Sequence, residues 1–509
     1  MSEKLSRRKF LALTGVSGAV ALIAACAPPP AAPAPKEEEA KPAEPVPEVA
    51  KKEPLNLIYY YGTRVVFKDL KLVQDAMSEY MKERINATIE LQPIEWASFT
   101  EKMNVKNAAG EKYDLCFTSS WANPYYPNVK NGVLADLTDA LPQWAPKYYG
   151  GLNPAVWLAP KVKGKIYGAV NEQILPTAMG PIARKDLADK YGLDLAKVTK
   201  VEDMEPWFDA ILEGEGGAVT PMECNYHIWW ASYWKLDGPG YGMVRYDDSD
   251  ITVNHLWDTA WKDCMALSRE WYQAGYYPKE QPPSAECQAQ IKAGKYAVLF
   301  HRAKPGGTAE RKAYMGWDYV SKIIEDPLIL TTGNIISTMY GVNKQTSSLE
   351  TCVRYLELVN TDKVFYNLLC KGIEGKHWVW VDKEKEVIGF PEGLDVNNHP
   401  YNPNSDWEFG NQFNAYYVDP NQVGAWEETK KLNNSAVPSV LLGFALDREP
   451  IKNELAEIAA AAAEFNDMNF GMMDLEEALP KYIERIKAAG ADKVKEEVQR
   501  QINAWKEES

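Results

Sequence analysis

A strand and helix alternation between residues 55 and 117 constrains the fold more than any other feature of this 509-residue chain. Leu55–Tyr61 has the pattern of a strand that ends at Gly62, and Ala87–Ile94 and Tyr113–Phe117 have the same pattern. Between the strands, apolar residues recur at helical spacing, first at Leu70, Val73, Met77 and Met81, then at Phe99 and Met103. This β-α-β-α-β order predicts an α/β fold with a parallel, doubly wound sheet.

Ligands of such sheets bind at the carboxyl ends of the strands, so the residues that follow the strands are the first candidates for a site. Tyr60 and Arg64 lie at the end of the first predicted strand, and Trp121 follows the third. An aromatic ring can stack on the C–H face of a sugar, and a guanidinium can donate paired hydrogen bonds to hydroxyls or to a carboxylate. An arginine in such a loop can equally form a surface ion pair.

The first 26 residues predict export and lipid attachment. Ser6-Arg7-Arg8-Lys9-Phe10-Leu11 has the twin-arginine export signature. The apolar run Leu11–Ala25 is shorter than the about 20 residues that a permanent membrane span needs. It ends in Ile23-Ala24-Ala25-Cys26, a lipobox, so Cys26 is the expected site of lipid attachment.

Residues 27–53 predict a disordered tether, because a Pro, Ala, Glu and Lys composition buries too little apolar surface to fold. Without the signal the chain has 52 basic and 70 acidic residues. That balance argues against a nucleic-acid partner, which needs a basic footprint.

Tyrosine (28) and tryptophan (17) both outnumber phenylalanine (13). Rings that carry a polar group suit partly solvated surfaces such as a sugar site, but any large protein also has many half-buried aromatic residues. No CxxC pair or histidine motif predicts a metal site, and no cofactor is expected. Because twin-arginine export carries chains that fold in a reducing cytoplasm, free buried thiols are expected at Cys116, Cys224, Cys264, Cys287, Cys352 and Cys370.

Several motifs along the chain resemble those of a known family. Landmarks shared with solute-binding proteins of the maltose-binding-protein class are Tyr113–Leu115, the segment from Gly132 to Leu137, and Gly164–Gly168. More specific matches to the LplA-type sugar-binding lipoproteins are Thr361–Lys363, Tyr366–Leu369, Gly372–His377, Trp407–Phe413, Leu442–Phe444 and Gln499–Trp505. The last segment is similar to the closing helix of a domain of unassigned function, and the resemblance spans nearly the whole chain after the tether.

The resemblance implies a two-lobed, type II periplasmic-binding-protein-like fold with several interlobe crossings and a helical C-terminal region. The expected divisions are a signal peptide (1–26), a tether (27–53), an N-lobe (54–175 with 334–405) and a C-lobe (176–333 with 406–509). Crossings are expected near Glu172–Met179, Thr331–Ile336 and Trp407–Phe413.

Further ligand-binding candidates, in the second lobe and at the third crossing, are Trp230, Trp234, His301, Arg302 and Trp407. The first two are four residues apart, on one face of a predicted helix, where a tryptophan more often packs in a core. The glycines of Gly372–His377 and Gly410–Asn411 favour structural turns over ligand contacts.

The C-terminal quarter predicts helices. Pro450 is expected to open one helix, and Pro480 is expected to open another that ends at Gly490. The face of the last helix is formed by Val494, Val498, Ile502 and Trp505.

The function that the resemblance implies is that of a monomeric, lipid-anchored, extracytoplasmic protein that is not an enzyme. It would capture a carbohydrate, expected to be an oligosaccharide, and pass it to the permease subunits of an ABC importer. Three alternatives stay open: a lipid-anchored glycoside hydrolase, a binder of peptides or other solutes, and a sensor subunit. The hydrolase is disfavoured because the chain shows no nucleophile or metal motif.

Overall fold

The computed structural model describes residues 53–226, 228, 235–238, 242–395 and 398–508. The signal peptide with Cys26, the tether up to residue 52, Trp230 and Trp234 therefore lie outside the described residues.

Strands and helices are numbered in chain order. The strands are β1 (Leu55–Thr63), β2 (Ala87–Glu95), β3 (Leu115–Thr118), β4 (Lys161–Val162), β5 (Lys165–Ile166), β6 (Gly168–Val170), β7 (Met179–Arg184), β8 (Thr220–Met222), β9 (Leu236–Asp237), β10 (Gly242–Arg245), β11 (Asn254–His255), β12 (Tyr296–Arg302), β13 (Tyr319–Ser321), β14 (Ile329–Leu330), β15 (Met339–Val342), β16 (Val379–Asp382), β17 (Val387–Gly389) and β18 (Val437–Pro438). The α-helices are α1 (Leu70–Ile85), α2 (Trp96–Ala109), α3 (Tyr125–Lys130), α4 (Ala140–Trp144), α5 (Pro146–Gly151), α6 (Lys185–Lys190), α7 (Glu205–Glu215), α8 (Trp261–Ala274), α9 (Ser284–Lys292), α10 (Gly307–Met315), α11 (Thr332–Ile335), α12 (Leu349–Thr361), α13 (Lys363–Lys371), α14 (Ala425–Ser435), α15 (Lys452–Ala463), α16 (Leu475–Ala488) and α17 (Ala491–Glu508).

The first sheet has the strand order β2-β1-β3-β15-β6. β1 pairs in parallel with β2 along its whole length, from Leu55 opposite Ala87 to Thr63 opposite Glu95, and it also pairs in parallel with β3. β15 is antiparallel to its neighbours β3 and β6. The predicted β-α-β-α-β order is confirmed, and the sheet becomes mixed where the chain returns in β15.

The second sheet has the order β13-β7-β12-β8. β7 is antiparallel to β12 and β13, whereas β8 is parallel to β12. Apolar side chains of α7, α8, α15, α16 and α17 pack with this sheet in a core separate from that of the first sheet. The predicted α/β fold with two lobes and a helical C-terminal region is therefore confirmed.

The described chain passes from one core to the other at three places. The first change lies between Ala178 and Ala183, directly after the expected Glu172–Met179. The second lies between Ile324 and Leu328, shortly before the expected Thr331–Ile336.

The chain passes from the first core to the second for the last time near β18, and not near the expected Trp407–Phe413. Leu442 packs in the first core, whereas Leu441 and Phe444 on either side of it pack in the second. The segment from 406 to 439 was expected in the C-lobe. Its buried apolar side chains belong instead to the first core, except Tyr416, which packs in a small cluster with Trp378 and Ile388. The reason is a dense contact with the first sheet, in which Phe409 packs against Tyr59 and Tyr61 of β1. The exact lobe boundaries remain a proposal.

Two cysteines depart from the expectation of free thiols. Cys224 and Cys287 form a disulfide, with Cα atoms 5.9 Å apart, because α9 packs beside the end of β8. Cys116, Cys264, Cys352 and Cys370 are buried and take no part in this disulfide, as expected.

The C-terminal helices correct one boundary. Pro450 lies in the first turn of a short 3-10 helix, Glu449–Ile451, that leads into α15, and Gly490 lies between α16 and α17. Pro480, however, lies inside α16 and does not open it. The helix begins earlier because the Asp474 side chain accepts hydrogen bonds from the N–H groups of Glu476 and Glu477.

Candidate functional site

The carboxyl ends of β1, β2 and β3 meet at one edge of the first sheet, because the three strands are neighbours and parallel. Thr63 ends the first strand and Arg64 directly follows it, Trp96 directly follows the second, and Trp121 follows the third. The order β2-β1-β3 also makes this edge a topological switch point, since the chain crosses over β1 between β2 and β3.

A cavity of about 230 Å³ lies at this edge. Its walls are Thr63, Arg64, Trp96, Trp121, Pro403, Asn404, Ser405 and Trp407. Arg64, Trp121 and Trp407 had been proposed from the sequence, and the structure brings these three together although they are far apart in the chain.

Three indoles form a continuous apolar surface in the cavity, which we call the tryptophan platform (Trp96, Trp121 and Trp407). The ring centroids of Trp96 and Trp121 are 5.1 Å apart. Trp407 stacks on Trp96 at 5.9 Å with an interplanar angle of 22°, and it lies 6.1 Å from Trp121. These spacings leave no room for a ring between the indoles, so a ligand must lie on their open faces, of which Trp121 offers most because it is 55 % exposed.

Each indole is held by a different part of the fold. The Trp121 Nε1–H donates to the Ser337 carbonyl at 2.9 Å, so this nitrogen is committed to the protein and only the ring face is offered to a ligand. The Trp96 ring lies directly on Gly62, where a Cβ atom would be 2.3 Å from the indole. Trp407 is carried by the short 3-10 helix Asp406–Glu408.

The polar groups around the platform are a guanidinium, two hydroxyls and an amide, from Arg64, Thr63, Ser405 and Asn404. No carboxylate is among the described residues that line this cavity. A flat aromatic surface beside neutral polar groups and one cation can hold the C–H face of a sugar ring while its hydroxyls are hydrogen-bonded.

The structure does not bring Tyr60 to the cavity. Successive side chains of a strand point to opposite faces, and Tyr60 points away from Tyr59 and Tyr61. Its ring is buried edge-to-face against Tyr113, its hydroxyl donates to Glu111 at 2.9 Å, and Lys106 donates to that hydroxyl at 3.1 Å. Tyr60 therefore supports the sheet and does not line the candidate site.

His301 and Arg302 end β12 in the second lobe. The His301 ring packs edge-to-face on Tyr226, and burial together with the nearby Arg311 and Arg302 lowers the pKa of His301 to about 4. Its imidazole is therefore neutral near pH 7 and able to act as both donor and acceptor. The Arg302 Nη2–H donates to the Asn334 Oδ1 at 3.2 Å, which ties this residue to α11, the first helix after the second crossing.

Helix α11 and the residues next to it contact candidate residues of both lobes. Ser120 donates to the Gly333 carbonyl at 3.4 Å and Trp121 donates to Ser337 on the first-lobe side. Arg302 contacts Asn334 on the second-lobe side. The candidates of the two lobes thus flank α11, which directly follows the second crossing, as the walls of an interlobe cleft do.

Trp96 is the one platform residue that the sequence reasoning missed. It is the first residue after β2, so the rule that selected Trp121 after β3 applies to it equally. Trp230 and Trp234 lie outside the described residues, and their role stays a prediction.

A larger cavity of about 480 Å³ lies elsewhere on the first lobe, between α1, α4, α5, α12 and α13. Several of its charged side chains are engaged in ion pairs, for example Arg84 with Asp362 at 3.8 Å and Arg354 with Glu350 at 2.8 Å. Among the described residues of its walls there is a single tryptophan, Trp144, and no aromatic stack, so the tryptophan platform is the better candidate site.

Neither a metal site nor a membrane-spanning helix is found in the part of the chain that the structure describes. No group of three or more His, Cys, Asp or Glu side chains there is arranged to hold a metal ion. Among the described helices, none combines the length and the apolar character that crossing a bilayer requires.

The chain is similar in sequence to a domain family of unknown function and to a protein of carbohydrate transport. Residues 440–507 match the family model described as a domain of unknown function (DUF3502). A carbohydrate ABC transporter substrate-binding protein from Streptococcus pneumoniae serotype 4 is 26 % identical over 440 residues, which cover 84 % of this chain and 86 % of the relative.

Solved structures show the same fold over nearly the whole chain. The N-glycan transport solute-binding protein NgtS from Streptococcus pneumoniae matches with a TM-score of 0.78 and 23 % identity, over 88 % of this chain and 98 % of that protein. A human-milk-oligosaccharide-binding solute-binding protein from Bifidobacterium longum infantis matches with a TM-score of 0.62 and 13 % identity, over 89 % and 99 % of the two chains. The resemblance seen in the sequence is confirmed: the chain has the two-lobed fold of the solute-binding proteins of carbohydrate ABC transporters, and it ends in the domain that DUF3502 describes.

Proposed function

We propose that this protein is the extracytoplasmic substrate-binding component of an ABC importer and that it captures an oligosaccharide on the tryptophan platform. The observation that carries the proposal is the stack of Trp96, Trp121 and Trp407 at the carboxyl edge of the first sheet, with Arg64 and neutral polar groups beside it. The S. pneumoniae relative is a carbohydrate ABC transporter substrate-binding protein, and solved structures of NgtS contain Man1GlcNAc and Man5GlcNAc, which supports a glycan as the cargo.

Capture would proceed by closure of the two lobes. Sugar stacked on the platform meets His301, Arg302 and their neighbours only when the second lobe approaches, so the closed form gains contacts that the open form lacks.

The binding test is isothermal titration calorimetry of the purified protein. The ligands are N-glycan fragments, including Man1GlcNAc and Man5GlcNAc, oligosaccharides from xylan, glucan and pectin, and short peptides. One sugar class should bind, and Trp121→Ala should weaken binding about tenfold, since an aromatic anchor in an interface contributes more than about 1 kcal/mol. Trp380→Ala is the matched control, because Trp380 packs with Trp378 and Tyr416 in a small cluster that includes no platform residue. Binding of peptides alone would contradict a carbohydrate cargo.

The same protein–sugar mixtures test whether the protein is an enzyme. We infer a binding role without turnover, because hydrolysis of a glycosidic bond needs a pair of carboxylates at the bond, and none of the described residues that line the cavity is a carboxylate. Chromatography of the sugars after prolonged incubation should recover them intact. Shortened products would bring the hydrolase alternative to first place.

Export and anchoring are proposed from the N-terminal motif alone. Lipid on Cys26 would hold a monomer at the outer face of the cell membrane, where it meets the permease subunits. Cys26→Ser should move the exported protein from the membrane fraction to the soluble fraction, and replacement of Arg7 and Arg8 by Lys should block export. Membrane retention of the Cys26→Ser protein would contradict lipid attachment at this residue.

A further inference from the structure

A buried carboxyl group lies at the base of the tryptophan platform. Glu408 directly follows Trp407, and its side chain is fully buried between the 3-10 helix Asp406–Glu408 and the end of β1. It does not line the cavity, so it cannot itself contact a sugar on the platform.

The Glu408 side chain connects two walls of the cavity. Its Oε1 accepts a hydrogen bond from the Gly62 N–H at 2.9 Å. Gly62 is the residue on which the Trp96 ring lies. The strand wall with Trp96 and the loop wall with Trp407 are therefore joined through this one buried carboxyl group, although Gly62 and Glu408 are 346 positions apart in the chain.

The backbone around Glu408 is held from a second direction by Asn171. The Asn171 Nδ2–H donates to the Glu408 carbonyl at 2.6 Å, and its Oδ1 accepts from the Gly410 N–H at 3.1 Å. Asn171 lies just after β6, at the start of the segment that leads to the first crossing. The segment that carries Trp407 thus has little freedom to move relative to β1.

The surroundings of Glu408 favour its neutral form. The Gly62 N–H and the Ser405 side chain favour the charged form less strongly than burial disfavours it, and the second carboxyl oxygen is buried. The titratable groups that face it are Tyr59 and Tyr61 of β1 and Cys370 of α13, none of which supplies a positive charge. Burial raises the pKa of Glu408 well above its usual range. A neutral amide of the same shape can therefore replace this side chain.

We infer that Glu408 is a positioning residue of the sugar site. Its hydrogen bond to Gly62 fixes the position of the 3-10 helix relative to β1 and thereby sets the stacking of Trp407 on Trp96. The inference rests on the proposed function for its effect on affinity, but the arrangement of the indoles can be measured without any sugar. It predicts that loss of the acceptor disturbs the platform even where the protein stays folded.

The test compares Glu408→Gln, which keeps the acceptor, with Glu408→Leu, which removes it. Two readouts are needed: affinity for Man5GlcNAc by titration, and the exciton couplet in the circular dichroism spectrum that closely stacked indoles produce. Val73→Ala is the stability control, because Val73 is fully buried in α1 of the same core and is not part of the platform.

Glu408→Gln should bind within about twofold of the wild type and keep the couplet. Glu408→Leu should bind about tenfold more weakly and lose part of the couplet, as expected when a buried donor is left without its acceptor. Val73→Ala should lower the melting temperature without changing either readout. Should Glu408→Leu fail to fold, Asn171→Ala, which frees the same backbone, is expected to give the same two changes.

A folded Glu408→Leu or Asn171→Ala protein with wild-type affinity and an unchanged couplet would overturn the inference. Loss of the couplet in Glu408→Leu but not in Glu408→Gln would support it even if the wild type did not bind Man5GlcNAc. In that case only the proposed ligand would be in doubt.

Discussion

Gly62 places an indole by having no side chain. It is the penultimate residue of β1, and a Cβ atom at this position would lie 2.3 Å from the Trp96 ring. A glycine within a strand often marks such a close approach of another group. Its N–H is also the donor to Glu408. Gly62 thus contacts the Trp96 ring directly, and its hydrogen bond to Glu408 connects it to the segment that carries Trp407.

Gly62→Ala should displace Trp96 and weaken sugar binding. Inserting a methyl group into a packed site costs about 1–3 kcal/mol, and part of that cost can be relieved by movement of the ring. Urea unfolding and titration with the best sugar of the panel measure the two effects. Gly150→Ala is the control, since a Cβ at Gly150 meets no atom within 4 Å. Equal affinities of the Gly62→Ala protein and the wild type would show that the ring tolerates the added methyl.

Helix α16 shows how one cap can decide where an element begins. Proline is favoured at a helix start, which is why Pro480 was expected there. The carboxylate of Asp474 instead accepts from Glu476 N–H at 3.0 Å and from Glu477 N–H at 3.4 Å. Tyr482 and Ile486, which follow the proline in the same helix, are buried in the second core. Cap and core together extend the helix through the proline.

Asp474→Ala should destabilise the second lobe by about 1 kcal/mol, the usual effect of removing an N-cap acceptor. Asp474→Asn should keep most of that stability, because its amide oxygen can accept the same bonds. Both are measured by urea unfolding of the full protein. Equal stability of the alanine and asparagine variants would show that the cap bonds contribute little.

The disulfide connects the end of β8 with α9 across a separation of 63 residues. A cross-link over a loop of this length typically stabilises a protein by about 2–4 kcal/mol, mainly by restricting the unfolded chain. Cys287→Ser should therefore lower the free energy of unfolding by about that amount, and reductant should lower it similarly in the wild type. Cys264→Ser is the control, because its hydroxyl can keep the bond of the thiol to the Ile228 carbonyl. Peptide mapping without reductant should recover the Cys224–Cys287 link, and its absence would contradict the pairing.

The whole molecule is joined at its crossings. The Ile324 N–H donates to the Met179 carbonyl at 2.9 Å, so the first and second crossings are hydrogen-bonded to each other. The Glu325 Oε2 accepts from the Met179 N–H at 3.0 Å, while β14 and β18 pair in parallel beside them. Segments that link two lobes and are themselves paired can act together as a hinge.

Glu325 makes the stability of this junction depend on pH. Burial raises its pKa from 4.5 to about 7, against the opposing effect of Arg302 nearby. The folded protein therefore holds this proton more tightly than the unfolded chain. Its contribution to stability is complete below pH 4.5 and is lost as the pH rises through about 7.

Glu325→Gln should remove this dependence while keeping an acceptor for the Met179 N–H. Between about pH 5 and 8 the wild type should lose up to about 3 kcal/mol of unfolding free energy from this group, and the variant should not. Urea unfolding at several pH values measures the slopes, with the exposed carboxylate variant Glu428→Gln as the control for loss of one charge. Parallel curves for Glu325→Gln and the wild type would contradict the raised pKa.

The sequence by itself determined the elements and the edge of the sheet where the site lies. Strand runs near Leu57 and Ile89, and helical spacing at Val73 and Met77, are local patterns that do not depend on the rest of the fold. The rule for parallel sheets then placed Arg64 and Trp121 at a common edge, and it would have placed Trp96 there too. These inferences needed only neighbours within a few residues.

Only the tertiary structure decided which distant groups meet. Trp407 joins Trp96 from a distant part of the chain, Cys224 finds Cys287, and the segment from 406 to 439 packs in the first core and not in the second. The orientation of Tyr60 and the protonation of Glu325 and Glu408 likewise follow from what surrounds each side chain. Packing and desolvation depend on contacts between residues far apart in the chain, and no local pattern in the sequence records those contacts.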